Sequence, residues 1–254
     1  MILFSDAHCD PEGLTPQLRQ LLRETEDETF VSNGDMANLL PQGLERYFAS
    51  LYLTQLEMAL DGRTLYQIAG NHDPYSWSKK LYAAIPNIEV VREMNCPHAD
   101  FRSGATVYEK RDRKGYHFWG EDGNPVMVTH IEHGHRWSID WRFLRHAAPG
   151  LVDFMTDHFP KPWYAFSKKM GWMPSQVKGE TRYHLAVLST WRGALLYAQN
   201  RPLSRVICGH THKLGAVTAL FPHGLDYIMV DGGTLATGSF IRLGAGGGIT
   251  FESL

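Results

Sequence analysis

The chain has 254 residues, 43% of them apolar, with a formal net charge of −2. That length suits one sizeable domain, 1–254, with room for an inserted subdomain, and the near-neutral charge speaks against a polybasic nucleic-acid surface or an acidic disordered tail. The three cysteines, Cys9, Cys96 and Cys208, are too few and too scattered for a disulfide framework or a cysteine-rich zinc site. The opening run MILF turns polar at Ser5-Asp6, too early for a secretory leader. No stretch reaches 18 apolar residues without charge, so no spanning helix is expected and the chain reads as cytoplasmic.

In chain order, MILF is expected to be a short buried strand. Thr15-Pro16 then starts a helix whose apolar face is Leu14, Leu18, Leu21 and Leu22. TFVSNGD reads as a second strand running into a loop. From Gly43 to Leu60 the apolar residues fit a 3.6-residue period, interrupted by the polar Gln55 and stopped by Asp61-Gly62. TLYQIAG is a third strand, and the order strand, helix, strand, helix, strand predicts an α/β layer architecture. IEVV, ATVYEK, YHFW and PVMVTHI are further strand candidates, with a turn signal in EDGN at 121–124. The composition shifts over 136–182, which is rich in Trp, Lys, Arg and Pro, and helices and loops are expected there. A helix follows over much of 183–199, through Leu185, Leu188, Leu195 and Leu196. RVICGHTH is again a strand entering a polar loop, and the tail reads as short strands.

Five of these strands run into potential metal ligands. MILFS leads to Asp6 and His8, TFVSNG to Asp35, LYQIAG to Asn71, His72 and Asp73, and VICG to His210 and His212; VMVTHIEHGH offers His130, His133 and His135. Open α/β sheets build sites beyond the carboxyl ends of their strands, so groups some 200 positions apart are expected to converge. One such residue alone is usually a turn or cap residue. The mixture of carboxylates, imidazoles and one amide oxygen suits Mn, Fe(II), Zn or similar ions and is too nitrogen-rich for a Mg or Ca cage. The number of ligands is too large for one four-coordinate ion and fits two ions sharing a carboxylate, for which Asp35 is the candidate.

The ordered blocks SDAH, NGD, GNHD, HGH and GHTH resemble those of the calcineurin-like metallophosphoesterases. The resemblance implies an α/β fold of two packed mixed β-sheets flanked by helices, with a dinuclear centre at the sheet edge and, over 136–182, a helical cap insertion. It implies that Asp6, His8 and His212 hold one ion, that Asn71, His133 and His210 hold the other, and that Asp35 bridges them. His72 is then near the substrate, with Asp73 orienting it and favouring its charged form. His133 is preferred to His130 because HGH matches the family block. His135 becomes a substrate or outer contact, and Glu132 a candidate to hold a ligand imidazole. The HGHRW run, the insertion before GHTH and the segment VDGGT resemble the UDP-2,3-diacylglucosamine diphosphatase-like branch. His72 stands where the branch often has Arg, and His135 where it has an acid.

The implied reaction is hydrolysis of a phosphodiester, diphosphate or phosphomonoester by a hydroxide activated between two divalent ions, Mn(II) first, with Fe, Zn, Ni or Co as alternatives. Asn71 and His72 serve the phosphoryl group and the leaving oxygen. Trp163, Tyr164 and Phe166, with Arg142, Arg145, Lys168 and Lys169, suit a large, anionic, partly apolar substrate, either nucleotide-linked or lipid-like. A nucleotide or nucleic-acid phosphodiesterase is the alternative, nucleic acid being disfavoured by the charge, and a non-catalytic metal-binding scaffold is a further one.

Overall fold

Strand β1 (Ile2–Phe4) shows how the layers are assembled: Ile2 and Phe4 face one apolar cluster and Leu3 the other. Successive strand residues point to opposite faces, so a strand buried on both sides reads as a continuous apolar run. The computed structural model describes residues 1–26, 29–97, 108–112, 115–119, 123, 128–137, 149–169, 180–199, 203–220, 226–244 and 248–254.

The first sheet runs β2 (Thr29–Asn33), β3 (Thr64–Ile68) and β4 (Ile88–Val91) parallel to β1 on one side. On the other side it adds β12 (Ser239–Leu243) and β13 (Ile249–Ser253), both antiparallel. The second sheet has the order β10 (Leu214–Leu220), β11 (Asp226–Gly232), β9 (Leu203–Cys208), β8 (Val128–Ile131), β5 (Met94–Pro97). Strands β8, β9 and β11 are parallel, and β5 and β10 are antiparallel to their neighbours. A separate hairpin pairs β6 (Tyr108–Asp112) with β7 (Gly115–Trp119). The two mixed sheets share an inner core of Leu3, Val31, Ile68, Ile131, Ile207 and Val230.

Helices cover the outer faces. Helix α1 (Pro16–Glu24) starts at Thr15, whose hydroxyl accepts from the Leu18 amide, and buries Leu18, Leu21 and Leu22 as its spacing predicts. The helical period over 43–60 is broken in two. A 3-10 turn (Leu44–Arg46) ends where the Tyr47 hydroxyl donates to the Cys9 carbonyl, and α3 (Leu51–Leu60) begins after Ser50. The short α2 (Leu39–Gln42) precedes them. The odd polar residue on this face, Gln55, accepts from the Leu14 amide and from Arg19. Helix α4 (Tyr75–Tyr82) follows the third ligand loop, and the buried hydroxyls of Tyr52 and Tyr82 bond at 2.6 Å.

The insertion contains α5 (Pro149–His158) and α6 (Pro160–Lys169), and α7 (Glu180–Gln199) lies on the second sheet. The expected leucine face of α7 is not the buried one. Leu185 and Leu188 are more than half exposed, and the helix packs through Val187, Thr190, Ala194 and Ala198. Small side chains let it approach closely: a Cβ on Gly193 would lie 2.7 Å from the Trp137 carbonyl oxygen. Residues 105–107 of the strand expected over ATVYEK, 125–127 of that over PVMVTHI, and EDGN apart from Gly123 lie outside the described residues. No helix among the described residues is long and apolar enough to cross a membrane.

Arg63 ties two helix ends together. Its guanidinium donates to the carbonyls of Leu22 and Thr25 at the end of α1 and of Ala59 and Leu60 at the end of α3, and lies 5.0 Å from the Phe30 ring. Positive charge is favourable at helix C-termini. Replacing Arg63 with Met is expected to lower the unfolding free energy by about 1–3 kcal/mol in urea titrations while leaving metal binding unchanged.

Candidate metal centre

The ligand loops require unusual backbone. Asp6, His8, Asp35, His210 and His212 all have φ between 48° and 68°, in the left-handed region that non-glycine residues seldom occupy. Such conformations persist only where the surroundings over-determine them. Here the Asp6 amide donates to the Gly34 carbonyl, the His8 amide to the Asp35 carbonyl and the Gly209 amide to the His133 carbonyl, stitching one loop to the next. Loops from β1, β2 and β3 thereby meet loops from β8 and β9 where the two sheets adjoin.

Two sets of ligands result. Asp6, His8 and His212 form one, with His212 Nε2 3.0 Å and His8 Nε2 3.8 Å from Asp6 Oδ1. Asp35, His133 and His210 form the other, with His133 Nε2 3.3 Å from Asp35 Oδ2 and 3.2 Å from Asn71 Oδ1. Asp35 also groups with His8 and His72, so one carboxylate reaches both sets. Its Oδ1 accepts from the His72 amide at 2.7 Å.

The residues fit divalent ions. His210 Nε2 is buried and makes no hydrogen bond, an arrangement that is costly unless a cation completes it. The Asn33 carbonyl can only accept, so His133 Nδ1 carries the proton and its Nε2 is left for a ligand. Asn38 does the same for two rings. Its amide nitrogen donates to the His8 carbonyl and to Asp10, which sets its Oδ1 toward His8 Nδ1 at 3.0 Å and His72 Nδ1 at 3.1 Å.

The site's electrostatics favour positive charge. Burial by itself raises the Asp6 carboxyl, yet the neighbouring His212, helped by His133, holds it at about 2. Asp35, likewise opposed by burial, is held well below the usual range by His133 and His72. Burial lowers His133, but Asp35 outweighs it and raises the ring to about 10. Burial and the nearby His133 push His210 down to about 3.

The placement of Asp73 differs from expectation. It does not orient His72; its carboxylate accepts from the amides of Asp35, Met36, Ala37 and Gly70 and from the Gln67 side chain. Burial and Asp35 push its carboxyl up toward about 8, whereas five N–H donors favour the ionised form. The donors are geometric facts and leave no place for a proton, so Asp73 is read as a carboxylate. His72 is bonded by Asn38 instead, and burial lowers its pKa rather than favouring the imidazolium.

His130 sits inside β8, bonded to Asn95 and Glu132. His135 is buried, its ring 5.4 Å from that of His133.

Sequence reasoning missed the supports. Asp231, seen there only as part of a glycine-rich turn, accepts from the Thr211 hydroxyl, Trp191 Nε1 and the Gly233 amide. Tyr183 donates to the Thr211 carbonyl at 2.8 Å, so α7 grips the loop carrying His210 and His212 at two points. Ser5 donates to Asp6 Oδ2, which also accepts the His210 amide. No spacing rule marks Asn38 or Asp231, because their partners are distant in the chain.

Two outcomes follow from this geometry. Asn38→Ala is expected to weaken metal affinity about 10- to 100-fold with the fold retained, read by calorimetric titration with Mn(II). Since His133 holds its Nε2 proton up to about pH 10 in the metal-free protein, an arriving ion must displace it. Apparent affinity is therefore expected to rise between pH 7 and 9 with about one proton released per chain, seen as a dependence of the heat on buffer ionisation enthalpy. A pH-independent affinity contradicts this.

Similar solved structures include a dimetal phosphatase from Danio rerio, 13% identical, covering 99% of this chain and 98% of that one with a TM-score of 0.39. A Vps29 from Entamoeba histolytica is 14% identical over 100% and 97% of the two chains, with a TM-score of 0.35. A predicted phosphoesterase from Streptococcus pneumoniae is 12% identical over 99% and 87%, with a TM-score of 0.33. No curated protein matches the chain. Residues 1–214 match the calcineurin-like phosphoesterase family, and with that match over most of its length the chain belongs to this family.

Proposed function

We propose that the chain is a dinuclear metal-dependent phosphoric ester hydrolase in which Asp6, His8 and His212 hold one ion, Asn71, His133 and His210 hold the other, and Asp35 bridges. The observation that carries this reading is the position of Asp35, within ligand reach of both histidine sets. Bound divalent ions supply Lewis-acid polarisation of the phosphoryl group and lower the pKa of water. Mn(II) is the preferred ion, since the mixed oxygen and nitrogen donors admit it along with Fe, Zn, Ni and Co.

The chain's own groups do the rest. Asn71 presents Oδ1 toward the His133 side, which leaves its amide N–H groups for a phosphoryl oxygen. His72 is the proton-handling group: its Nδ1–H is held by Asn38, so exchange with substrate is left to Nε2. Asp73 acts through the backbone it holds. It is a positioning residue.

The substrate is a large phosphate ester with anionic and apolar parts, and 136–182 is its cap. The Tyr164 ring on α6 meets the His72 ring edge-on at 5.2 Å, so the insertion reaches the centre itself. Helix α5 docks on α4 through the Ser76 hydroxyl, which donates to the Asp157 carbonyl, and on the end of β4 through the Arg92–Asp157 ion pair. Phe154, Phe159 and Phe166 are left nearly half exposed beside this contact. A UDP-2,3-diacylglucosamine-like diphosphate is the substrate that best combines these features, with nucleotide phosphodiesters as the alternative.

The test strips metal, restores Mn(II), and compares an aryl phosphate monoester, an aryl diester and UDP-2,3-diacylglucosamine. Strong preference for the last supports the diphosphatase reading; diester turnover without it shifts the substrate to nucleotides. Asp35→Asn is expected to lose the metal of the Asp35 centre and turnover together. His72→Ala is expected to lower turnover about 10²–10⁴-fold with metal content unchanged, and an unchanged rate on every leaving group would remove His72 from proton handling.

A further inference from the structure

Outside this centre, Glu93, His130 and Glu132 form a third group whose potential ligand atoms all lie within 4.8 Å of one another. It sits where β5 begins and β8 ends. The antiparallel register pairs Asn95 with His130 and Met94 with Ile131. Continued by one residue, it sets Glu93 opposite Glu132. Like charges directly opposite across a strand pair repel, and Glu132 is fully buried. A divalent ion set between the two carboxylates would offset that repulsion.

The imidazole is arranged as in the dinuclear centre. His130 Nδ1 lies 2.7 Å from Asn95 Oδ1, and its Nε2 lies 3.2 Å from Glu132 Oε2. A side-chain amide oxygen on Nδ1 with Nε2 turned to a carboxylate is also how His8 stands, between Asn38 and Asp6. Held this way, an imidazole presents Nε2 as a metal ligand. The ring packs against Tyr197 at 4.8 Å, which sets its plane. Glu93 is half-buried and lines an open groove with Tyr75, Lys79, Glu89 and Arg92, giving an ion a path from solvent.

We infer that Glu93, His130 and Glu132 bind a third divalent cation, of the Mn(II) or Zn(II) class, separate from the dinuclear pair. One imidazole and two carboxylates suit such borderline ions. Its place in the fold gives it a structural task. Glu132 immediately precedes His133, and the Glu132 amide donates to the Ile207 carbonyl, so an ion here would anchor the backbone that delivers His133. The competing arrangement is the His130–Glu132 hydrogen bond with no metal.

The proposal stands apart from the reading of the dinuclear centre, and metal counting separates the two. Wild type, Glu93→Gln and Asp35→Asn are each loaded with Zn(II), freed of excess by gel filtration and analysed by mass spectrometry of the metal, with circular dichroism confirming the fold. Glu93→Gln removes one charge from a half-buried position and keeps the side-chain shape. The expected result is one ion fewer per chain in Glu93→Gln than in wild type, and a smaller rise in melting temperature on adding Zn(II). Equal counts in wild type and Glu93→Gln overturn the third site. A normal count in Asp35→Asn, with one ion lost in Glu93→Gln, sinks the dinuclear reading and leaves the third site standing.

Discussion

The Asp73 carboxylate is the interaction on which the centre depends. It draws the amides of Asp35, Met36, Ala37 and Gly70 to one buried point, so two loops from neighbouring strands share a single anchor. Backbone amides at that depth need acceptors, and few β-ladder carbonyls remain beyond the strand ends. The fit is tight: a Cβ on Gly70 would lie 2.1 Å from Asp35 Oδ1 and 2.4 Å from the Asp35 amide nitrogen. Only a glycine lets the third loop come this close to the Asp35 carboxylate.

From that anchor the strained backbone follows. Five ligands in left-handed conformations store energy of order 1 kcal/mol or more apiece, and the packed sheets hold them there. Much of the restraint comes from the far end of the chain. The Thr234 hydroxyl donates to the Asp6 carbonyl and the Leu235 amide to the Ser5 carbonyl, so the turn after β11 secures the first ligand loop. Asp231, at the end of β11, secures the last one through Thr211. The first and last ligand blocks are thus held by one short segment that contributes no ligand of its own.

Helix α7 links the insertion to this scaffold. Tyr183 in its first turn and Trp191 two turns later both reach the support of the His210–His212 loop. Its close approach to the second sheet relies on alanines and a glycine, and Leu185, Leu188 and Leu196 are left outward while Leu195 packs inward. A helix chosen for apolar periodicity alone would be rotated from the one observed, because contact distance and not hydrophobicity selects the buried face here. The same lesson applies to 43–60, where one apolar period covers two elements separated at Tyr47 and Ser50 by bonds to the Cys9 loop and within the turn.

What the sequence by itself determined is the strand framework, apart from β5 and β10, which it did not mark, and the chemistry placed at the strand ends. Strand β1 and the parallel strands β2, β3 and β9 were legible as apolar runs ending in acids, amides or imidazoles, because both properties are local. Position along the chain also grouped the ligands by block. The tertiary structure decided which groups do what. It turned Asp73 from His72 toward backbone amides, gave His72 and His8 a shared partner in Asn38, set His130 under α7 beside two glutamates, and brought Asp231 beneath the last ligand loop. Each of these choices rests on hydrogen bonds between residues far apart in the chain or on the face a strand presents. No local pattern encodes such distances, since they arise only when two twisted sheets pack and their loop ends are forced to share one polar interior.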